Sequence, residues 1–334
     1  HLKSATEALV EILQPTSFHL LNSLLNSIQV KQEEKFQVLN WLFSDESNLN
    51  PVPRVSNGEN LPYTVDGIHF SSCAAMAVQT FFLGRVNLFL ELLKSSADLE
   101  DDVKFWMARK LQWLLDILVD EHVYAASLTL QVPVSRKNQE FIYQPFFHTI
   151  VNSLETFMVV MSSNPVWGEI ESFLLENLLH PHILCWEIVT ELWCFLLRHA
   201  ETSLVKDIID KLCALLGYTA FPEAVFSPGS ALRKIARSIC LIVTCCSQAV
   251  ADQVYDAVTG DNKSQDSSMI YTALLMEGFP LTILSQRTRS TAKARVLTEY
   301  FCFVESFGSE LPKTSGFEIY GAPVDALSAT LLSQ

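Results

Sequence analysis

Hydrophobic positions recur at helical spacing along most of this chain. Phe147, Ile150, Val151, Leu154, Phe157, Met158 and Met161 put their side chains on one face of a helix, and they predict a helix from Phe146 to about Met161. Asn164-Pro165 then predicts a stop and a restart, with Asn164 as N-cap and Pro165 in the first helical position. Glu169 and Glu171 sit in the opening turns, where the helix dipole favours acids. Trp167, Ile170, Leu174 and Leu178 mark the buried face of this second helix.

Beyond Pro181, the segment His182–His199 is apolar almost all round. Glu187, Glu191, Cys194 and Arg198 form its one continuous polar stripe, and such a helix needs neighbours on several sides. Ser203–Leu216 is cleanly amphipathic. Leu204, Val205, Ile208, Ile209, Leu212, Leu215 and Leu216 oppose Lys206, Asp207, Asp210 and Lys211, and Gly217 is placed to end the helix in a left-handed conformation. Ser230 opens a further helix, with Leu232, Ile235, Ala236, Ile239, Ile242, Val243 and Cys246 facing inward. Similar patterns cover about 5–43, 72–95, 99–128, 249–259, 268–284 and 290–307.

Breaks in the pattern divide the chain. Residues 44–71 carry Asn50-Pro51-Val52-Pro53, Asn57-Gly58 and Asp66-Gly67 and read as a long loop. Residues 132–140 read as a polar connection and 260–268 as a charged loop. The predicted organisation is N-terminal helices over 1–43, the long loop over 44–71, a continuous helical-repeat body over 72–308 and an extended C-terminal segment over 309–334. Successive antiparallel helices on short connectors predict an all-α fold, an irregular α-solenoid of HEAT or armadillo type. No strict sequence period marks a repeat, so a compact multi-helix bundle is the alternative architecture.

Composition adds limits. The 334 residues are 49% hydrophobic and 18% charged, enough apolar material for a core and too few charges for a disordered chain. With 11 glycines and 13 prolines the chain lacks the turn punctuation of a large sheet protein. It opens on His1, and the expectation is that it is a piece of a longer protein. A formal charge of −14 repels phosphate backbones and anionic lipid, which argues against direct nucleic-acid binding. The 8 cysteines include no CxxC pair. Cys185, Cys194, Cys213, Cys240, Cys245, Cys246 and Cys302 fall in apolar helical pattern, as expected of core thiols in a reducing, intracellular compartment. The longest uncharged apolar candidate, Ile239–Cys246, is far too short to span a membrane.

Candidate chemistry is sparse. The chain has no GxxxxGK phosphate loop, no GxGxxG turn after a strand, no GxSxG elbow and no HExxH pair. The reading is therefore a non-enzymatic protein with no cofactor and no metal. His180, His182 and Cys185 are the nearest thing to a metal cluster. Pro181 splits the histidines and no second ligand pair follows, so capping residues and a core cysteine are expected there. Cys194 and His199 are five apart on one helix, roughly 140° around its axis, and cannot act as nucleophile and base. Glu100, Asp101 and Asp102 read as the solvated start of a helix. Trp186 and Trp193, one heptad apart, read as core packing. Two groups of bases stand out against the acidic background. Arg233, Lys234 and Arg237 are expected on one solvent face, and Arg287, Arg289, Lys293 and Arg295 cluster later. Together they form a candidate contact patch for an acidic partner or a nucleic-acid backbone, with an ordinary charged helix face as the alternative.

One stretch is more specific. Glu155–Glu201 runs from Phe157 through Asn164-Pro165 and Phe173-Leu174-Leu175 to Trp193-Cys194-Phe195-Leu196-Leu197-Arg198. It resembles the fidgetin-like-1-interacting proteins, the FIGNL-interacting regulators of recombination and mitosis, whose pattern is an acidic, leucine-rich helix followed by one ending W-C-F-L-x-R. A second, looser similarity in the order of elements covers Ala231–Gly308. The resemblance implies a nuclear, non-catalytic partner of a fidgetin-like AAA+ ATPase. Such a complex acts on RecA-type recombinase filaments in DNA repair and limits meiotic crossovers. Trp193, Cys194, Phe195, Leu196 and Arg198 carry the motif, and of these Arg198 is the residue expected at the surface. The alternative is a generic HEAT-type scaffold in transport, tethering or chromatin.

Overall fold

The computed structural model of the chain describes residues 16–44, 67–135, 141–259, 265–307 and 322–332. It is almost entirely helical. The chain divides into two compact units, His1–Leu192 and Trp193–Gln334.

In the first unit α1 covers residues 16–25. It is followed by α2 (Gln32–Leu42), α3 (Gly67–Lys94), α4 (Asp101–Arg109), α5 (Leu111–Val119) and α6 (Glu121–Thr129). A hairpin, β1 (Gln131–Ser135) with β2 (Phe141–Pro145), leads into α7 (Phe146–Met161) and α8 (Trp167–Glu176). The helix α9 (Ile183–His199) contains the boundary between the units. The long helix α3 packs on α6 and α7, α4 on α8, and α5 on α6. The core holds an aromatic cluster in which Phe43 and Phe89 meet Trp113 edge-on, with centroids 5.2 and 5.4 Å away.

Arg85 ties this cluster to a helix end. The last carbonyls of a helix lack intrahelical donors, and a buried end must find them elsewhere. The Arg85 guanidinium donates to the carbonyls of Leu42 at 2.7 Å and Ser44 at 2.6 Å, while its Cζ lies 5.2 Å from the Trp113 ring centroid. A second seam joins α2 to the start of α4. Lys35, 2% exposed, donates to Glu100 at 3.2 Å, Gln32 to Asp102 at 3.3 Å and the Trp106 indole to Asn40 at 2.8 Å.

The second unit comprises α10 (Thr202–Thr219), α11 (Pro222–Phe226), α12 (Ala231–Thr244), α13 (Gln248–Thr259), α14 (Gln265–Met276), α15 (Gln286–Phe307) and α16 (Ala322–Leu332). α12 packs on α10, α11 and α14, and α16 packs on α14 and α15. Ser230 caps α12 as its position predicts, its hydroxyl accepting from Arg233 N at 3.2 Å. The inward face of α12 is the expected one from Leu232 to Val243, although the helix ends at Thr244 and leaves Cys246 half-buried beyond it.

Several expectations need correction. The polar connection over 132–140 is a hairpin at its described ends, registering Gln131 with Pro145 and Ser135 with Phe141. Val132, Val134, Ile142 and Tyr143 supply β-prone side chains that the polar residues between the strands masked. The long loop at 44–71 gives way to α3 at Gly67, while 45–66 lies outside the described residues. The loop at 260–268 likewise gives way to α14 at Gln265. The extended C-terminal segment contains α16, which Pro323 permits because it sits in the first turn. Asn164-Pro165 does not start α8. Asn164 Oδ1 accepts from Val166 N at 3.0 Å and its carbonyl from Trp167 N at 3.0 Å, a turn that delays the helix to Trp167. Gly217 does not stop α10, which runs on to Thr219. The stop comes from Pro222, which holds Phe221 at φ −116°, ψ 147° and opens α11.

Among the described residues the left-handed glycine is Gly278, at φ 78°. Gly278 N donates to Leu275 O and Phe279 N to Leu274 O, both at 3.0 Å, the paired bonds of a Schellman ending on α14. That ending places Glu277 opposite Arg233 and buries Phe279.

Two substitutions test these helix ends. Arg85→Met should lower the stability of the first unit by about 2 kcal/mol, since it strands part-buried carbonyls while keeping an apolar stem. Urea unfolding followed by tryptophan fluorescence measures it, and a loss below about 1 kcal/mol contradicts the role. Gly278→Ala should cost about 1 kcal/mol or more, because the position holds a positive φ with open space around it. An unchanged midpoint would contradict that.

Candidate functional site

The motif carried by Trp193–Arg198 lies in the second half of α9. This helix is buried on nearly every side from Leu184 to Leu197, with Trp186 1% and Trp193 9% exposed. Cys194 is buried, and Phe195 and Leu196 are half-buried. Arg198 is exposed, its Nε donating to Cys194 O at 3.3 Å, one turn back. His199 sits against Phe195, with ring centroids 4.7 Å apart and Nδ1 2.9 Å from the Phe195 carbonyl oxygen. Apart from Arg198 the motif is packing, and no chemistry follows from it.

The candidate cation patch is largely dismantled by the fold. Arg233 and Lys234 are not on a solvent face. They are 9% and 7% exposed, and of the first group only Arg237 points outward. Arg233 pairs with Glu277 and donates from Nη1 to Val225 O at 2.9 Å, which fastens α11 and the end of α14 to α12. Burial holds the Lys234 ammonium below the usual lysine range. Arg289 donates to the carbonyls of Thr282 and Leu284, closing the 3-10 turn Leu281–Ile283. Arg295 lies 4.0 Å above the Tyr271 ring and pairs with Glu299 at 2.8 Å. Arg287 is exposed and Lys293 half-exposed on α15.

The other candidates resolve into structure as well. His180 Nδ1 accepts from His182 N at 3.1 Å, and the His182 ring meets Tyr124 edge-on at 4.7 Å. Cys185 points into the core toward Leu115 O at 3.5 Å, and burial, with Asp116 adding to it, pushes its thiol up to about 12. Among the described residues, no three His, Cys, Asp or Glu side chains converge as metal ligands. Asp101 accepts from Lys104 at 3.1 Å and from Asn164 at 3.0 Å, which together hold its carboxyl below the ordinary range. Glu100, Asp101 and Asp102 are therefore a joint between α2, α4 and the turn before α8, more than a solvated helix start.

A cavity of about 10 Å³ is lined by Tyr255, Val258, Tyr271, Leu274, Leu275 and Phe279. It has room for about one water and none for a substrate. Burial raises both tyrosine hydroxyls above the phenol range.

The surface also exposes large apolar side chains. Leu215, Tyr218, Phe221 and Phe226 emerge around the end of α10 and α11, with Tyr218 80% exposed. Leu297, Phe301 and Val304 emerge on the outer face of α15. Periodicity alone assigns such positions to cores. The overlooked sign in α10 is its apolar face, too wide to be covered by one neighbour: Val205, Ile209, Leu212 and Leu216 are buried, while Leu204 and Leu215 are left outside.

No curated protein matches the chain, and no solved structure matches it. A family model, Domain of unknown function (DUF4487), matches residues 1–326, so the chain belongs to that family.

Thiol reactivity tests this picture of the interior. In the folded chain at about pH 8, an alkylating reagent should modify the exposed Cys245 and Cys302 first. Cys185 and Cys240, whose thiols burial raises, should react only on unfolding. Peptide mapping by mass spectrometry reads the order, and early labelling of Cys185 would overturn it.

Proposed function

We propose that this member of the DUF4487 family is a non-catalytic regulatory adaptor of a fidgetin-like AAA+ ATPase, acting through it on RecA-type recombinase filaments in homologous recombination. The observation that carries the reading is the resemblance of Glu155–Glu201, with Trp193-Cys194-Phe195-Leu196-Leu197-Arg198 at its end. Three features agree with it. An all-α chain with exposed apolar positions on α10 and α11 offers surface for a protein partner. In this reading the ATPase does the chemical work, and the cavity beside Tyr271, too small for a substrate, plays no part in it. The formal charge of −14 suits a protein partner better than bare DNA, so contact with recombinase filaments is indirect. In this reading the adaptor works in the nucleus, in repair and in limiting meiotic crossovers.

Affinity purification of the tagged protein from nuclear extract, with and without nuclease, tests the proposal. A fidgetin-like ATPase should be recovered in near-equal amount and should survive nuclease treatment. Reproducible recovery of coat, tethering or cohesin-type partners in its place would replace the adaptor with a general interaction scaffold.

A further inference from the structure

The helix α15 (Gln286–Phe307) presents two unlike faces. Ala292 and Val296 are buried in the second unit. On the opposite side Ser290, Ala294, Leu297, Phe301 and Val304 are all exposed, the last three at 46%, 57% and 47%. Their spacing alternates four and three residues, the seam by which one helix packs against another. The seam is graded, with small residues toward the N-terminus and large ones toward the C-terminus.

Charge along α15 is graded too, and in the unfavourable sense. Its first turn has no acid and its last turn no base, while the exposed Arg287 lies at the positive end of the helix dipole and the exposed Glu305 near the negative end. Nothing internal to the helix gains from that order. A neighbouring helix running the opposite way would reverse it, bringing an acid to the first turn and a base to the last.

We propose that this face is an isologous interface, in which α15 of a second copy of the chain packs antiparallel across a two-fold axis at Leu297. Antiparallel pairing about Leu297 sets Phe301 of each copy over the small Ala294 of the other, and Val304 over Ser290. It also brings Arg287 near Glu305 at both ends. A parallel copy would stack Phe301 on Phe301, Arg287 on Arg287 and Glu305 on Glu305. The seam is therefore complementary to itself in one direction only, as a two-fold interface requires. A single helix pair is a small interface, so the dissociation constant is expected to be on the order of micromolar.

Sedimentation velocity across a concentration series, on the whole chain, is the test. Leu297→Glu and Phe301→Glu lie on the surface and should leave the helical circular dichroism unchanged while abolishing the dimer. Arg287→Glu or Glu305→Arg alone should weaken it about tenfold, because each like-charge contact occurs twice. Mixing the Arg287→Glu and Glu305→Arg variants should restore wild-type affinity, since each copy then meets its opposite charge. A chain that stays monomeric at every concentration overturns the proposal. So does a dimer indifferent to these substitutions, or one that the single charge reversals leave at full strength.

Discussion

A chain folded from many short helices buries many helix ends, and every buried end carries carbonyls that have lost water and have no donor within the helix. Arginines answer that constraint here. Arg85 reaches the end of α2, Arg233 the carbonyl of Val225 in α11, and Arg289 the turn that precedes α15. Each guanidinium supplies several donors on an apolar stem that packs well, so one residue can satisfy an end and join it to another helix. The aromatic cluster around Trp113 and the Schellman ending at Gly278 both depend on this, since each is held in place by an arginine bound to a neighbouring segment.

That constraint also explains what could be read from the sequence. Helices whose apolar positions follow one face, such as α7 and α12, were legible nearly to the residue, because periodic burial and a cap such as Ser230 are local signals. Ends were less legible. Asn164-Pro165 and Gly217 carry the right residue types for a start and a stop, yet a turn bond at Val166 and the backbone restriction before Pro222 decide the boundaries. The basic residues were the least legible. Arg233 and Arg237 differ only by one turn in sequence, but one pairs with Glu277, 44 residues away, and the other faces out. No single-sequence pattern encodes that distance.

The candidate site was visible in outline alone. The Trp193–Arg198 motif is the most specific string in the chain, and it is buried or half-buried except at Arg198. A string made of core residues is set by packing and says little about which surface meets a partner. The apolar positions left outside on α10, α11 and α15 were indistinguishable in sequence from those inside, since both follow the same period.

The arginine bonds also bear on how long the folded state lasts. Arg85 is separated from its carbonyl partners by 43 and 41 residues, and Arg233 from Glu277 by 44. Helices form from local contacts within microseconds, but these bonds can close only after the helices that carry the two partners have docked. Interactions completed late in folding slow escape from the native state far more than they speed arrival at it. The buried guanidiniums thus act as latches on the lifetime of the fold, and a chain with weakened latches would still assemble at nearly its normal rate while opening more often.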